Sequence, residues 1–151
     1  MPLSIRRADL NDSAVVTEFN RLLAQESEGK ALDAAVLGAG VAAGLADPSK
    51  GVYFLAEEDG VPVGQMMYTA EWSDWRNGWF WWIQSVYVRL EARRRGVFRA
   101  LFEHVHQAAR ADGQVIGLRL YVERENHVAQ KTYQNMGMES AGYLVFERYP
   151  L

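Results

Sequence analysis

The stretch Trp82-Ile83-Gln84-Ser85-Val86-Tyr87-Val88-Arg89-Leu90-Glu91-Ala92-Arg93-Arg94-Arg95-Gly96-Val97-Phe98-Arg99-Ala100-Leu101 decides the fold of this chain. An apolar, β-forming run, Val86-Tyr87-Val88, stops at a basic turn that contains a glycine, Arg93 to Phe98. The turn opens directly onto an amphipathic segment. Strand, tight turn and helix start together make an anion site, because the first amides of a helix lack intrahelical partners and the helix dipole favours negative charge there. Three arginines at such a point oppose the dipole, and a bound phosphate offsets that cost. Gly96 lets the backbone approach a ligand closely. Taken alone, the turn also reads as a solvated basic loop at a helix start.

Outward from this stretch, Gly78 to Val88 predicts one long strand, and Gly96 to Ala111 predicts a helix with Val97, Leu101, Val105 and Ala108 on one face. Asp112-Gly113 ends that helix, and Val115 to Val122 predicts the next strand. Upstream, Val52 to Glu57 and Val61 to Thr69 flank Asp59-Gly60, a tight-hairpin signal. Trp72 to Asn77 reads as a polar and aromatic loop. Leu3 to Arg7 reads as a first strand. Asn11 or Asp12 can cap a helix striped by Val15, Phe19, Leu22 and Leu23 and stopped near Glu28-Gly29. A second helix starting at Asp33 carries Gly38, Gly40 and Gly44, which predicts a broken or mobile segment. Downstream, Asn126 to Met136 predicts a short helix stopped by Gly137, and Leu144 to Glu147 a last strand. The order predicts a single domain over 1–151. Its class is α/β (α+β), a mixed sheet with helices on its faces and a right-handed parallel crossover from Gly78 to Val122.

Composition narrows the chemistry. The chain has 151 residues, 49% apolar and 23% charged, with a net charge of −3, so bulk nucleic-acid binding is not indicated and the basic turn is a local feature. The absence of cysteine excludes disulfides, a thiol nucleophile and thiolate metal ligands. No apolar run reaches the ~18 residues of a membrane span, and the first ten residues lack the apolar core of a signal peptide. A cytoplasmic protein is the default expectation. His104 and His106 stand two apart on a helix and His127 is isolated, so no metal site is expected.

A second constellation follows the basic turn. Asn126, Ala129, Tyr133 and Gly137 fall at helical spacing. Singly, Asn126 reads as a helix cap and Tyr133 as a core aromatic. Together with Arg93-Arg94-Arg95-Gly96-Val97-Phe98, however, they resemble the paired motifs of the GNAT superfamily of N-acetyltransferases. That family carries Arg/Gln-x-x-Gly-x-Gly/Ala after its fourth strand and later Asn-x-x-Ala-x-x-x-Tyr-x-x-x-Gly-Phe. Order and spacing of the pair are more specific than either motif.

The resemblance implies the GNAT fold, with a splayed pair of fourth and fifth strands, and acetyl-CoA as co-substrate. It implies that the pantetheine arm bonds the main chain near Val86, Tyr87 and Val88. It places the pyrophosphate on the turn Arg93, Arg94, Arg95, Gly96, Val97, Phe98 and Arg99, mainly on the amides of Arg94 to Arg99. Asn126 is implied to contact the pantetheine arm, and Tyr133 to protonate the departing thiolate. A strand amide near Val86 is then the group that stabilises charge on the carbonyl oxygen, and transfer is direct, in a ternary complex. No side-chain nucleophile is evident.

The chain departs from the family pattern at Phe98, where Gly or Ala is usual; the ring must turn away from the phosphates. Trp72-Ser73-Asp74-Trp75 and the strand after it are similar to the spermidine/spermine and diamine acetyltransferase branch. That branch's strand acid aligns with Gln84, which cannot accept a proton. Glu26, Glu28, Glu71 and Asp74 are the candidate substitutes, each also readable as a solvated acid. Glu26 and Glu28 end the first helix, and Trp75 offers a cation–π surface for an amine. The strand alternates, so Trp79 and Trp81 share one face and Phe80 and Trp82 the other. The expected activity is N-acetylation of a primary amine on a small, cationic molecule. A non-catalytic acyl-CoA sensor and a protein or peptide N-acetyltransferase are the alternatives. The aromatic surplus also suggests a homodimer.

Overall fold

Asp59 and Gly60 turn the chain with φ values of 52° and 77°, the two successive positive values that a tight hairpin needs. They join β2 (Val52–Glu58) to β3 (Val61–Ser73), and β3 turns back into β4 (Gly78–Val88). The computed structural model describes residues 2–151, and contacts divide the chain after Leu120 into two units. The first unit adds β1 (Leu3–Arg7), α1 (Ser13–Glu28), α2 (Ala34–Ala46), α3 (Val97–Asp112) and β5 (Val115–Leu120). Its sheet runs β1-β2-β3-β4-β5, antiparallel up to β4 and parallel between β4 and β5, the pair that α3 connects. The second unit, Tyr121–Leu151, holds α4 (His127–Asn135).

Helices cover both faces of the sheet, as the alternation of its residues requires. On one face Tyr53, Leu55 and Tyr87 pack with Val16 and Phe19 of α1 and Val41 of α2. On the other, Phe54 meets His104 of α3 edge-on at 4.9 Å, and Tyr68 stacks between Phe54 and Trp81. The α3 stripe is Val97, Leu101, Phe102, Val105 and Ala109, all buried. The aromatic run of β4 divides as its alternation predicts: Trp81 lies on the α3 face, while Trp82 donates its indole N–H to Glu71 on the other.

Four expectations are corrected. The glycine-rich second segment is an unbroken helix, with Asp33 accepting from the Val36 N–H at 3.0 Å as its N-cap. Gly38 and Gly40 face open space, and Gly44 lies where a Cβ would come within 3.3 Å of the Tyr53 ring, so contact with the sheet outweighs weak propensity. Strand β5 stops at Leu120, two residues early, and β3 continues to Ser73, so the loop before β4 is only 74–77. Leu144–Glu147 carries no regular structure; within 121–151 there is no second extended run for it to pair with.

The approach of α3 to the sheet depends on Gly64. A Cβ there would stand 3.0 Å from the Tyr87 carbonyl oxygen and 3.0 Å from Val97 Cγ1. Replacing Gly64 by Ala forces the first turn of α3 off β3. We expect Gly64→Ala to cost about 1–3 kcal/mol, by analogy with other overpacked sites, lowering the melting temperature by about 2–4 °C per kcal/mol. An unchanged thermal midpoint would show that this close approach is not real.

Candidate active site

The site begins with a change of register in β4. Gln84 pairs with Met67, but Tyr87 pairs with Gln65, so Ser85 and Val86 together oppose the single residue Met66. This is a β-bulge, and Ser85 carries it with φ of 51°, a left-handed conformation that costs a non-glycine residue roughly 1–2 kcal/mol. The extra residue resets the alternation. Gln84 lies on the α1 face, where its Nε2 donates to Thr69 Oγ1 at 2.5 Å. Tyr87, three residues on, lies on that same face, 5.4 Å from the Phe19 ring.

Inside the bulge sits Gln65, completely buried. Its Nε2 donates to the Ser85 carbonyl at 2.9 Å, while its Oε1 is buried without a hydrogen-bond partner. Such an unsatisfied acceptor costs about 1–3 kcal/mol. On the other side of β4, pairing with β5 ends at Ile83↔Leu120. Within the first unit, residues 84–88 therefore have strand neighbours on the β3 side alone. This is the splaying of the fourth and fifth strands in structural form.

The open edge of β4 runs into the basic turn. Arg94 and Gly96 both take positive φ, 64° and 82°, the left-handed backbone from which anion nests are built. Gly96 is the N-cap residue of α3; no side chain caps this end, and no acidic residue lies in its first turn. Nothing lies within 4 Å of where a Gly96 Cβ would be. Uncapped amides, an uncrowded glycine and a first helical turn without an acidic residue fit the diphosphate of a coenzyme A. Phe98 turns along the helix onto Phe102, with ring centroids 6.1 Å apart, which clears the amides as its departure from the motif requires.

The arginines are anchored by the fold. Arg93 donates from Nε to the Val88 carbonyl at 2.9 Å and from Nη2 to Glu26 at 2.6 Å, and its guanidinium lies 5.6 Å from the Tyr87 ring centre. Arg95 pairs with Glu58 at 2.9 Å. Glu26 also accepts from the Tyr87 hydroxyl at 2.6 Å. The Tyr87 hydroxyl and the Arg93 guanidinium hold the Glu26 carboxyl below its ordinary range, so it stays ionised and is a poor proton acceptor. Burial, together with the Glu26 carboxylate, pushes the Tyr87 phenol up.

The remaining candidates are spread out. Glu28 pairs with Lys30 at 3.4 Å on the exposed end of α1. Glu71 accepts from Trp82 at 3.2 Å and from Arg119 at 3.0 Å. Asp74 and Trp75 occupy the β3–β4 hairpin tip, where Trp75 is 85% exposed. The strand from Gly78 to Ser85 puts that tip about 25 Å from the bulge at ~3.4 Å per residue. A small acceptor does not span that distance. Gln84 alone of the proposed acceptor residues adjoins the bulge.

In the second unit Asn126 is the N-cap of α4, accepting from the Ala129 N–H at 3.1 Å; its side-chain amide N–H groups remain to donate elsewhere. Burial raises the Tyr133 phenol above its ordinary value, so it is protonated at neutral pH. Among the described residues, no group of three or more His, Asp and Glu could hold a metal ion, and no helix is long and apolar enough to cross a membrane.

Sequence reasoning missed Gln65, Gly64 and Thr69. Gln65 had a signal, a lone uncharged polar residue inside the apolar run Val61 to Tyr68. Thr69 and Gly64 had none, because their roles are contacts to residues distant in sequence.

The Glu26–Arg93 pair is partly exposed, so its contribution is small. We expect Glu26→Gln to cost about 0.5–1 kcal/mol at neutral pH, the usual worth of such a pair. A depressed carboxyl stabilises above its unfolded pKa and loses that effect as pH falls through the folded value. The difference between wild type and variant in denaturant melts therefore vanishes as pH falls below the ordinary 4.5. A difference independent of pH would mean that Glu26 acts through packing.

Residues 17–138 match the model of the acetyltransferase (GNAT) family. Among solved structures, a possible acetyltransferase from Clostridium difficile 630 is 44% identical, with a TM-score of 0.93 over 100% of this chain and 99% of that one. A predicted acetyltransferase with acetyl-CoA from Clostridium acetobutylicum is 17% identical, with a TM-score of 0.79 over 97% and 96% of the two chains. A GCN5-related N-acetyltransferase from Ralstonia eutropha JMP134 is 20% identical, with a TM-score of 0.77 over 99% and 100%. The last two show the fold alone. Comparison with curated proteins found no match. With a family match over most of its length, a bulged and splayed fourth strand and an uncapped amide nest after it, the chain belongs to the GNAT family of acetyltransferases.

Proposed function

We propose that this acetyltransferase moves the acetyl group directly to the primary amine of a small molecule, in a ternary complex. One observation carries the reading: within the first unit the end of β4 has no β5 neighbour beyond Ile83, and a short turn over Leu90–Ala92 carries the chain from it to the uncapped start of α3. When bound, acetyl-CoA supplies an activated acetyl thioester. The amides of Arg94 to Arg99 hold its phosphates, with Arg93 and Arg95 framing the turn. The main chain of Val86, Tyr87 and Val88 and the Asn126 side chain hold the pantetheine arm. The Val86 N–H meets the carbonyl oxygen, where charge develops. Tyr133 donates the proton that the departing thiolate takes up.

Gln84 is polar without being basic, and Glu26 and Glu71 are engaged by arginines. The amine therefore arrives neutral or loses its proton through water. The likeness of Trp72-Ser73-Asp74-Trp75 to the polyamine branch supports a cationic acceptor. The separation of Asp74 and Trp75 from the bulge favours a second reading, an amino acid or peptide N-terminus whose recognition needs no remote acid.

Two experiments test this. Free CoA release is measured with polyamines, amino acids, aminoglycosides and peptides as acceptors. Turnover with a primary amine is expected; tight acetyl-CoA binding with no release across the panel would instead make the protein an acyl-CoA sensor. Second, Tyr133→Phe is expected to lower kcat about 100-fold, the low end of general-acid contributions, with little change in the KM for acetyl-CoA. In the wild type the rate rises from neutral to mildly alkaline pH as the amine deprotonates, and falls off only above the ordinary phenol value of 10. Unchanged turnover in Tyr133→Phe, or a flat pH profile, removes Tyr133 or amine deprotonation from the scheme.

A further inference from the structure

A bulge is a soft point in a β-ladder, because its extra residue is released from regular pairing. In β4 the softness falls at the Ser85–Val86 peptide, which follows a residue in the left-handed region. The peptide is planar and trans, so the Ser85 carbonyl and the Val86 N–H point in opposite directions and rotate as one body. Whatever holds the carbonyl also aims the amide.

Gln65 holds it. Its Nε2 donates to the Ser85 oxygen at 2.9 Å from a side chain with no exposed surface, which directs the Val86 N–H to the opposite side of the peptide. The glutamine is expensive where it stands. Its neighbours Met66 and Met67 show that unbranched apolar side chains suit this part of β3, and its own Oε1 is buried without a partner. A residue chosen for packing alone would be apolar. What the amide adds is one directed hydrogen bond to one peptide.

We propose that Gln65 is a positioning residue for acetyl transfer: by fixing the Ser85 carbonyl it fixes the direction in which the Val86 N–H is presented. This rests on the reading that the Val86 N–H meets the acetyl carbonyl oxygen. Gln65 itself touches neither substrate. Its loss lets the peptide rotate, so the donor is misaimed when charge develops on the oxygen, while the phosphate nest that dominates cofactor affinity is unchanged.

The test compares wild type, Gln65→Met and Gln65→Glu. The amide resonance of Val86 is followed with CoA and with acetyl-CoA, and steady-state kinetics are measured alongside. In the wild type, acetyl-CoA shifts the Val86 amide relative to CoA. In Gln65→Met that acetyl-dependent shift is lost, and kcat falls about tenfold, less than the loss of an oxyanion donor outright. The KM for acetyl-CoA changes less than about threefold and the melting temperature changes little, because removal of the unsatisfied Oε1 offsets the loss of the donor to the Ser85 carbonyl. In Gln65→Glu the carboxyl donates only when protonated, and burial raises its pKa. Its kcat, taken as a ratio to wild type at each pH, therefore recovers as pH falls. If Gln65→Met does not fold, this recovery decides the matter by itself.

A wild-type shift that persists in Gln65→Met with kcat unchanged overturns the proposal. So does a parallel loss of stability, KM and kcat with no recovery of Gln65→Glu at low pH, which is the mark of a purely structural role. A wild type in which acetyl-CoA and CoA give the same Val86 resonance overturns the cofactor geometry itself, a different failure from either of these.

Discussion

The extra residue in β4 is the constraint on which the rest of the site depends. Without it, strict alternation would put Gln84 and Tyr87 on opposite faces of the sheet. With it, both lie on the α1 face: Gln84 bonds to Thr69, while Tyr87 packs on Phe19 and reaches Glu26. The bulge also adds local twist, and it falls just beyond the last pair that β4 makes with β5, where the two strands part. One irregularity therefore builds the core under α1 and leaves the far edge of β4 open. Its strain is stored in Ser85, whose carbonyl accepts from the buried Gln65 side chain.

The basic turn solves an electrostatic problem that the sequence poses openly. Arginines beside a helix N-terminus oppose the dipole. The fold removes two of them from the problem by giving each a carboxylate from another element, Glu26 from α1 for Arg93 and Glu58 from β2 for Arg95. These pairs do more for geometry than for stability, since exposed ion pairs contribute little. They tie the turn to two elements of the scaffold and leave the backbone amides at the start of α3 without a side-chain cap. Glu26 is thereby committed to structure and is not free to act as a base.

The family's chemistry suits such a site. Acyl transfer from a thioester needs an oriented donor where charge develops, a proton for the leaving group and an amine in its neutral form. In the scheme proposed above, backbone answers the first requirement and the Tyr133 phenol, which burial keeps protonated at neutral pH, answers the second. The third requires little of the protein beyond a polar, uncharged surface, which Gln84 and Thr69 supply beside the bulge.

Much of this was written locally in the chain. The alternation of Gly78 to Val88, the hairpin turn at Asp59-Gly60 and the stripe of α3 are patterns of neighbouring residues, and each produced its element at nearly the expected bounds. The spacing of Arg93–Phe98 against Asn126–Gly137 identified the family, because those motifs lie within single turns and helices. The continuity of α2 was not legible, since contact with Tyr53 overrides the poor propensity of its glycines. Nor was the fate of the acids. By itself the sequence determined the order of elements from β1 to α4, the cofactor and the family, all of which rest on short-range periodicity and motif spacing. Only the tertiary structure decided that Glu26 and Glu71 are engaged by arginines, that Asp74 and Trp75 stand far from the bulge, and that Gln65 grips it. Those facts depend on pairs 20 to 67 residues apart, whose meeting is set by sheet register and helix packing and leaves no periodic trace in the chain.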